Sequence, residues 1–152
     1  MRYMFVTPHL QAWIDNLPNA PGRRRKLPEY AQVMGLFDAY VSGESAARLE
    51  LPGMYPPFGL LVKRAVARLN VWEARLSDNR VFGWCVEPGV FVGIQGANAH
   101  YLHSLPPNAP GSHEAHARSV DRWRRVAKFG PSDIWRGKDL NAFLTPPTVA
   151  PI

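Results

Sequence analysis

The stretch between residues 71 and 98 limits the fold more than any other part of the chain. It contains three runs rich in aromatic and β-branched residues, "VWEARL", "RVFGWCVE" and "VFVGIQG", and this composition is typical of strands. Asp78-Asn79 separates the first run from the second, and Pro88-Gly89 separates the second from the third. Both pairs favour tight turns. The spacing therefore predicts three antiparallel strands that follow one another as a meander.

One strand and two helices are predicted before the meander. The opening run "RYMFV" predicts a strand, and Thr7 followed by Pro8 is a typical helix start. The helix that begins there is predicted to end at Pro18, and a second helix is predicted from Pro28 to Gly43. Both predictions depend on apolar residues at helical spacing: Leu10, Trp13, Ile14 and Leu17 in the first helix, and Tyr30, Val33, Met34, Phe37, Tyr40 and Val41 in the second.

The segment between the second helix and the meander lacks a lasting period. Residues 43–59 include Pro52, Pro56 and Pro57, and they predict a long loop. The run "LLVKRAVARL" (residues 60–69) fits both a helix and a two-sided strand. Its conformation therefore stays open at this point.

A long helix is predicted after the meander. Ser112 is a typical N-cap, and the helix is predicted to run to about Phe129. A shorter helix is predicted from Ser132, followed by a weakly ordered tail, "TPPTVAPI". The long helix is predicted to bury Val120, Trp123 and Ala127 and to expose Arg118, Arg122 and Arg125.

Length and charge limit the class of protein. With 152 residues and 46% hydrophobic content, the chain is predicted to form one domain (residues 1–130, with the insertion at 43–59) and an appended segment (residues 131–152). Its net charge of +6 favours RNA or DNA as a partner, although it also fits a merely soluble basic protein. The single cysteine, Cys85, and the absence of an apolar run of about 20 residues predict a cytoplasmic protein that does not enter the membrane.

The predicted fold is α+β: an N-terminal strand and two helices packed on an antiparallel sheet with a three-stranded meander, plus a C-terminal helix. In this order the chain resembles the RelE/ParE toxin superfamily, in particular its HigB-type, phage Gp49-like branch. The likeness lies in "VTPHLQAWIDNLP" (6–18), in "LNVWEARLSDNRVFGWCVEPGVFVGIQGANAHYLHS" (69–104) and in "EAHARSVDRWRRVAKF" (114–129).

The resemblance implies the toxin of a type II toxin-antitoxin system. Such a toxin cuts mRNA, usually on the ribosome and without a metal or cofactor, and is inhibited by a cognate antitoxin, which here is expected to be a helix-turn-helix protein. Members of the branch usually carry a pair of lysines after the last strand. The corresponding stretch here is "ANAHYLHSLP", in which histidines stand and lysine is absent.

The chemistry of RNA cleavage selects the candidate catalytic residues. It needs a base for the ribose 2′-hydroxyl, a cation for the phosphate and an acid for the leaving oxygen, and histidine and arginine suit these tasks. His100, Tyr101 and His103 follow the third meander strand, and Arg75 and Arg80 lie on the two strands before it. These five residues form the predicted catalytic site if they share one face of the sheet.

Less specific interpretations accompany each candidate. Arg75 also has Glu73 as a neighbour for a surface ion pair, and the histidines also fit a polar loop. The basic clusters at residues 23–26 and on the C-terminal helix are predicted to bind RNA phosphates, although solvated charges are more frequent for either cluster alone. The first consists of Arg23, Arg24, Arg25 and Lys26, and the second of Arg118, Arg122 and Arg125.

Two other functions stay open. The chain also fits a non-catalytic module on the same fold that binds RNA, DNA or protein. A zinc protein is the third alternative, because nitrogen ligands suit zinc and the two H-x-x-H pairs lie near Cys85 in sequence. Those pairs are His100 with His103 and His113 with His116.

Overall fold

The structure is a computed structural model that describes residues 1–20, 27–43, 58–63 and 65–147. Its strands and α-helices are, in chain order, β1 (Tyr3–Val6), α1 (Pro8–Asp15), α2 (Glu29–Ser42), β2 (Phe58–Leu60), β3 (Trp72–Arg75), β4 (Asn79–Glu87), β5 (Val90–Asn98), α3 (Ala99–Ser104), α4 (His113–Val126) and α5 (Leu140–Phe143). Single turns of 3-10 helix lie at Ala67–Leu69 and Pro131–Asp133. The α+β class is confirmed.

The five strands form one sheet in the order β1-β5-β4-β3-β2. Strands β3, β4 and β5 pair antiparallel in succession, so the predicted meander is confirmed. The expectation of an antiparallel sheet is wrong in one respect, because β1 pairs parallel with β5, from Tyr3 opposite Val90 to Val6 opposite Gly93. Such a pairing needs a long crossover connection, which the chain between β1 and β5 supplies.

The predicted loop at residues 43–59 contains a strand at its end. Strand β2 pairs antiparallel with β3, with Phe58 opposite Ala74, and the Phe58 side chain is buried. Residues 44–57 of the predicted loop lie outside the described residues. The described residues between Leu60 and Asn70 form neither of the two predicted alternatives. They contain a turn and the 3-10 helix Ala67–Leu69, which is followed by Asn70 with a φ of 55°.

Helices α1 and α2 cover one face of the sheet. Thr7 caps α1 as predicted: its Oγ1 accepts a hydrogen bond from Leu10 N at 3.1 Å and donates one to Ile94 O at 3.0 Å. Helix α1 ends at Asp15, before Pro18, and α2 ends as predicted at Gly43, whose φ is 83°. Both apolar stripes enter one core with side chains of the sheet, and this core includes Leu10, Ile14, Val33, Phe37, Tyr40, Trp72, Ala74 and Val81.

Helix α4 packs on the opposite face, where a second core includes Val71, Phe82, Trp84, Ala117 and Val120. Ser112 caps the helix as predicted, since its hydroxyl accepts from Ala115 N at 3.2 Å. The predicted buried side is wrong at Trp123, which is 40% exposed, and at Ala127, which is also exposed. The side chain that follows Ala117 and Val120 along the buried face is Arg124. Its hydrogen bonds to Leu69 O and Asp121 offset part of the free-energy cost of burying its charge.

The segment after α4 returns to the first core. The predicted helix from Ser132 is only a single 3-10 turn, and α5 follows at Leu140. Phe143 of α5 is fully buried and stacks on Trp72, with 4.3 Å between ring centroids. Residues 148–152 of the predicted tail lie outside the described residues. In the part of the chain that is described, no helix combines the length and the apolar character that a membrane crossing requires.

Candidate active site

Polar residues interrupt the apolar surface of the sheet beneath the N-terminal end of α4. Side chains alternate along a strand, so Glu73 and Arg75 of β3 point to the α4 side while Trp72 and Ala74 point to α1 and α2. Glu73 lies opposite Phe82, and Arg75 lies opposite Arg80. The sheet thus presents a carboxylate and two guanidinium groups together at one end of the meander.

The Glu73 carboxylate connects the sheet with α4. Its Oε1 accepts a hydrogen bond from Arg75 Nε at 2.7 Å, which is the ion pair that the sequence offered for Arg75. Its Oε2 lies 3.8 Å from His113 Nε2 and has no hydrogen-bond partner among the described residues. The Glu73 side chain is only 7% exposed. A buried acceptor without a partner is costly, and the His113 imidazole is a potential donor that lies beside this oxygen.

His113 is the first residue of α4. Burial lowers the pKa of its imidazole below the ordinary value; Glu73 raises that pKa, and Lys63, His103 and Arg80 lower it further. The net direction is downward. His113 is therefore neutral near pH 7, with one ring nitrogen free to accept a proton.

A cleft of about 270 Å³ opens beside His113. His103 of α3 lines the same cleft, with 5.7 Å between the two imidazole centroids, and so does the exposed Lys63 from the segment after β2. The remaining walls are Leu102, Leu105, Pro107, Ser112 and Glu114. Two imidazoles and an ammonium group thus line one open cleft.

Arg80 lies behind this cleft and is buried. Its Nη1 donates to Leu76 O at 2.6 Å and to Asn79 O at 2.9 Å. Burial lowers the pKa of Arg80, and Glu73 partly offsets the effect. The side chain therefore holds the turn between β3 and β4 and places positive charge near Glu73.

The structure separates the other predicted catalytic residues from the cleft. His100 is exposed, and its Nε2 lies 3.2 Å from Asp78 Oδ1. Tyr101 is 58% exposed, and its ring lies near Gly111. Neither lines the cleft. Of the predicted "HYLH" corner, Leu102 and His103 line it.

Of the four histidines that suggested zinc, only His103 and His113 share the cleft. The ring of His116 stacks on Phe82 at 4.9 Å and forms a short hydrogen bond with Gln95. Burial, followed by the neighbouring His113, lowers its pKa. Cys85 belongs to the core on the other face of the sheet, where burial raises the pKa of its thiol to about 12. Within residues 1–20, 27–43, 58–63 and 65–147, no three His, Cys, Asp or Glu residues are grouped as a metal would require.

The predicted RNA-binding arginines of α4 are all exposed. Arg118 donates to Asn108 Oδ1 at 2.7 Å, close to the loop that bounds the cleft. Arg125 pairs with Asp121 at 2.7 Å, near the far end of the helix. The other predicted cluster, Arg23, Arg24, Arg25 and Lys26, lies outside the described residues.

Sequence reasoning missed three residues of the cleft region. The sequence suggests Glu73 only as a partner for Arg75 and His113 only as a metal ligand, and it gives no role to Lys63. One signal was available for Glu73: a carboxylate in a strand predicted to be mostly core needs a buried partner. The approach of His113 and Lys63 is a product of tertiary packing and leaves no local pattern.

No family model, no curated protein and no solved structure matches the chain. The class that the fold and cleft define is therefore an α+β protein with a mixed five-stranded sheet and a cleft lined by two histidines and a lysine. The resemblance to RelE/ParE toxins stays a prediction.

Proposed function

We propose that the protein is a metal-independent ribonuclease whose active site is the cleft between His103, His113 and Lys63. One observation carries the proposal: His103 and His113 line the same cleft, and the buried carboxylate of Glu73 lies against His113. Paired imidazoles suit a reaction in which one proton is removed and another is supplied.

Each residue has a role in cleavage of an RNA phosphodiester. With Nε2–H directed at Glu73, the Nδ1 atom of His113 takes the proton of the ribose 2′-hydroxyl. The O2′–P bond forms, and the P–O5′ bond breaks. His103 supplies the proton that the leaving O5′ requires, and the Lys63 ammonium stabilises the charge on the phosphate oxygens. The products are a 2′,3′-cyclic phosphate and a 5′-hydroxyl.

Glu73 acts through His113 in this scheme. An acceptor on one ring nitrogen fixes the tautomer and the ring orientation, and it stabilises the imidazolium that forms. Arg75 in turn holds Glu73 in place. Both are positioning residues.

The resemblance extends the proposal to biology. The order of strand, two helices, meander and C-terminal helix supports a RelE-like fold, and this supports a type II toxin that cuts mRNA on the ribosome and is inhibited by a helix-turn-helix antitoxin. The exposed arginines of α4 are expected to bind RNA in that role.

Purified protein incubated with single-stranded RNA in the presence of EDTA tests the chemistry. We expect cleavage with cyclic phosphate ends, and a loss of at least 100-fold in rate for His113→Asn or His103→Asn, since positioned acid-base groups contribute about 10² to 10⁴. The control is His9→Asn, an exposed residue of α1. Unchanged rates in both cleft variants would contradict the site, as would activity that depends on His100 and not on His113.

Induced expression tests the biological role. The parent chain is expected to arrest growth and to generate new RNA ends, and His113→Asn is expected to do neither. Arrest without new RNA ends would exclude the ribonuclease. RNA binding without cleavage in the purified protein would instead favour the non-catalytic binding module.

A further inference from the structure

A second cleft, of about 350 Å³, lies at the C-terminal end of α4. Its walls come from the 3-10 turn at Ala67–Leu69, from the last turns of α4 and from the segment that follows. Arg68, Arg124, Arg125 and Arg136 line it together with Asp121 and Phe129. Neither the predicted catalytic residues nor the walls of the first cleft belong to it.

Arg124 is the unusual member of this group, because it is only 2% exposed. Its Nη2 donates to Leu69 O and to Asp121 Oδ1. Its Nε and Nη1 have no hydrogen-bond partner within the described part of the chain. Burial lowers the pKa of this guanidinium, and Asp121 partly offsets the effect. A buried cation that is incompletely paired favours an additional anion beside it.

The charge of the cleft is unbalanced. Asp121 is the acidic residue in its lining, and it is shared between Arg124 at 3.0 Å and Arg125 at 2.7 Å. Arg68 and Arg136 are exposed at the rim, where Arg136 Nη1 donates to Arg68 O at 3.3 Å. Four guanidinium groups thus face one carboxylate in a concave site. Guanidinium groups bind phosphate oxygens in a fork.

An aromatic ring accompanies these charges. Phe129 is 37% exposed and packs edge-on against Trp84, with 5.3 Å between centroids. Exposed aromatic rings beside basic grooves stack on nucleobases. The Arg124 guanidinium also lies over the Trp84 ring, at 5.9 Å. Trp84 therefore contacts both the buried cation and Phe129, the ring that is available to stack on a base.

The two clefts lie along one helix. His113 and Arg124 are about 16 Å apart at 1.5 Å per residue, a distance that a few nucleotides of extended single strand span. Arg118 and Arg122 are exposed on the helix between them. A single strand of RNA that occupies the first cleft would therefore meet positive charge along its path to the second cleft.

We propose that the cleft at Arg68, Arg124 and Arg136 binds a phosphate of single-stranded RNA, with Phe129 stacked against a neighbouring base. The identity of the ligand as RNA depends on the proposed ribonuclease function. The phosphate site itself depends only on the arginines and their burial.

Fluorescence anisotropy with a labelled 2′-O-methyl oligouridine that spans both clefts tests the proposal without cleavage. We expect Arg68→Gln/Arg136→Gln to weaken binding about tenfold or more and to reduce the slope of log K against log salt by roughly two. Phe129→Ala is expected to weaken binding about fivefold or more. The matched control is Lys128→Gln/Lys138→Gln, which removes the same charge from exposed residues that do not line the cleft.

Cleavage of a UpA dinucleotide, too short to reach the second cleft, separates this proposal from the first. The arginine double variant is expected to cleave it at the parent rate. If the parent cleaves no RNA but oligouridine binding still depends on the arginines, the phosphate site stands and the ribonuclease fails. Equal affinity and equal salt slopes for parent and double variant would overturn the second site.

Discussion

At Glu73 a single carboxylate lies close to several basic groups. It is 2.7 Å from Arg75 Nε and 3.8 Å from His113 Nε2, and it opposes the loss of charge that burial causes at His113 and at Arg80. Removing its charge while keeping its shape therefore changes the electrostatics of the cleft without removing any group that touches the substrate.

Glu73→Gln is expected to move the acidic limb of the kcat/KM profile to lower pH. The reason is that His113 must be unprotonated to act as a base, and loss of the negative charge lowers its pKa further. The rate at the optimum is also expected to fall, because an amide stabilises the imidazolium less well. The profile is measured with single-stranded RNA between about pH 5 and 8, the range in which histidine titrates.

Glu114→Gln provides the matched control for this variant, because Glu114 lines the cleft without being among the groups that shift His113. Its acidic limb is expected to coincide with that of the parent. A limb that stays in place or moves upward in Glu73→Gln would show that His113 is not the base.

The ion pair of Arg75 with Glu73 was predictable at this scale because both residues lie on one face of one short strand. The position of His113 was not, since it lies 40 positions later in the chain (residue 113 against residue 73) and reaches Glu73 only after α4 has packed on the sheet. His100 and Tyr101 do not line the cleft for a related reason. They lie on the short helix α3, and the direction of that helix is set by its contacts with β4 and β5.

Among the elements, α1 is fixed to the sheet by the cap at its first turn. Thr7→Ala removes both the cap to Leu10 N and the buried hydrogen bond to Ile94 O, and it is expected to lower the free energy of unfolding by about 1–3 kcal/mol. Thr7→Ser keeps the hydroxyl and is expected to lose much less. Urea denaturation measures both variants, and equal stability of the alanine and serine variants would contradict the role of the hydroxyl.

A second contact fixes α1 over β5. The indole of Trp13 covers Gly96 so closely that a Cβ there would overlap its ring. Gly96→Ala is therefore expected to cost about 1–3 kcal/mol in urea denaturation. Gly35→Ala is the matched control: nothing lies within 4 Å of its added Cβ, and alanine in the exposed interior of α2 is expected to stabilise the protein by about 0.5–1 kcal/mol. If both substitutions changed the free energy of unfolding in the same direction, the close contact of Trp13 with Gly96 would be contradicted.

Elements with strong local signals were predictable: the meander from its turns, α1 and α4 from their caps, and the end of α2 from Gly43. Elements that depend on distant partners were not. Strand β2 has three residues and exists because β3 offers it a free edge, and β1 is parallel because of the path of the whole chain. The prediction for the buried face of α4 is wrong at this point because hydrophobicity favours Trp123 as the buried residue, whereas the structure buries its neighbour Arg124.

In the whole molecule, the sheet is covered by helices on both faces, and its two cores differ in chemistry. The core against α1 and α2 is formed mainly by apolar side chains, with the buried guanidinium of Arg2 donating to Leu144 O and Tyr40 O beside it. The region against α4 also contains Glu73, Arg80, Glu114 and Arg124, all of them buried. The two histidines whose pKa is lowered and both clefts thus lie on the side of the sheet that α4 covers, and changes in pH between about 5 and 8 are expected to act mainly there.

The dependence of stability on pH follows from two histidines on that side. Burial lowers the pKa of both His113 and His116, whereas in the unfolded chain they titrate near pH 6.5. Above that pH neither state binds the proton, and no stability is lost. As the pH falls below about 6.5, the unfolded state binds protons first, so the free energy of unfolding decreases until the folded pKa values are reached.

Thermal unfolding between about pH 5 and 7.5 is therefore expected to give a Tm that falls toward acidic pH, in the range where histidine titrates. His113→Asn/His116→Asn removes both groups and is expected to flatten this fall, even if it lowers the Tm at every pH through lost packing on Phe82. His9→Asn, on the exposed side of α1, is expected to keep the slope of the parent. A slope that persists in the double variant would show that groups other than these two histidines cause the acid sensitivity in this range.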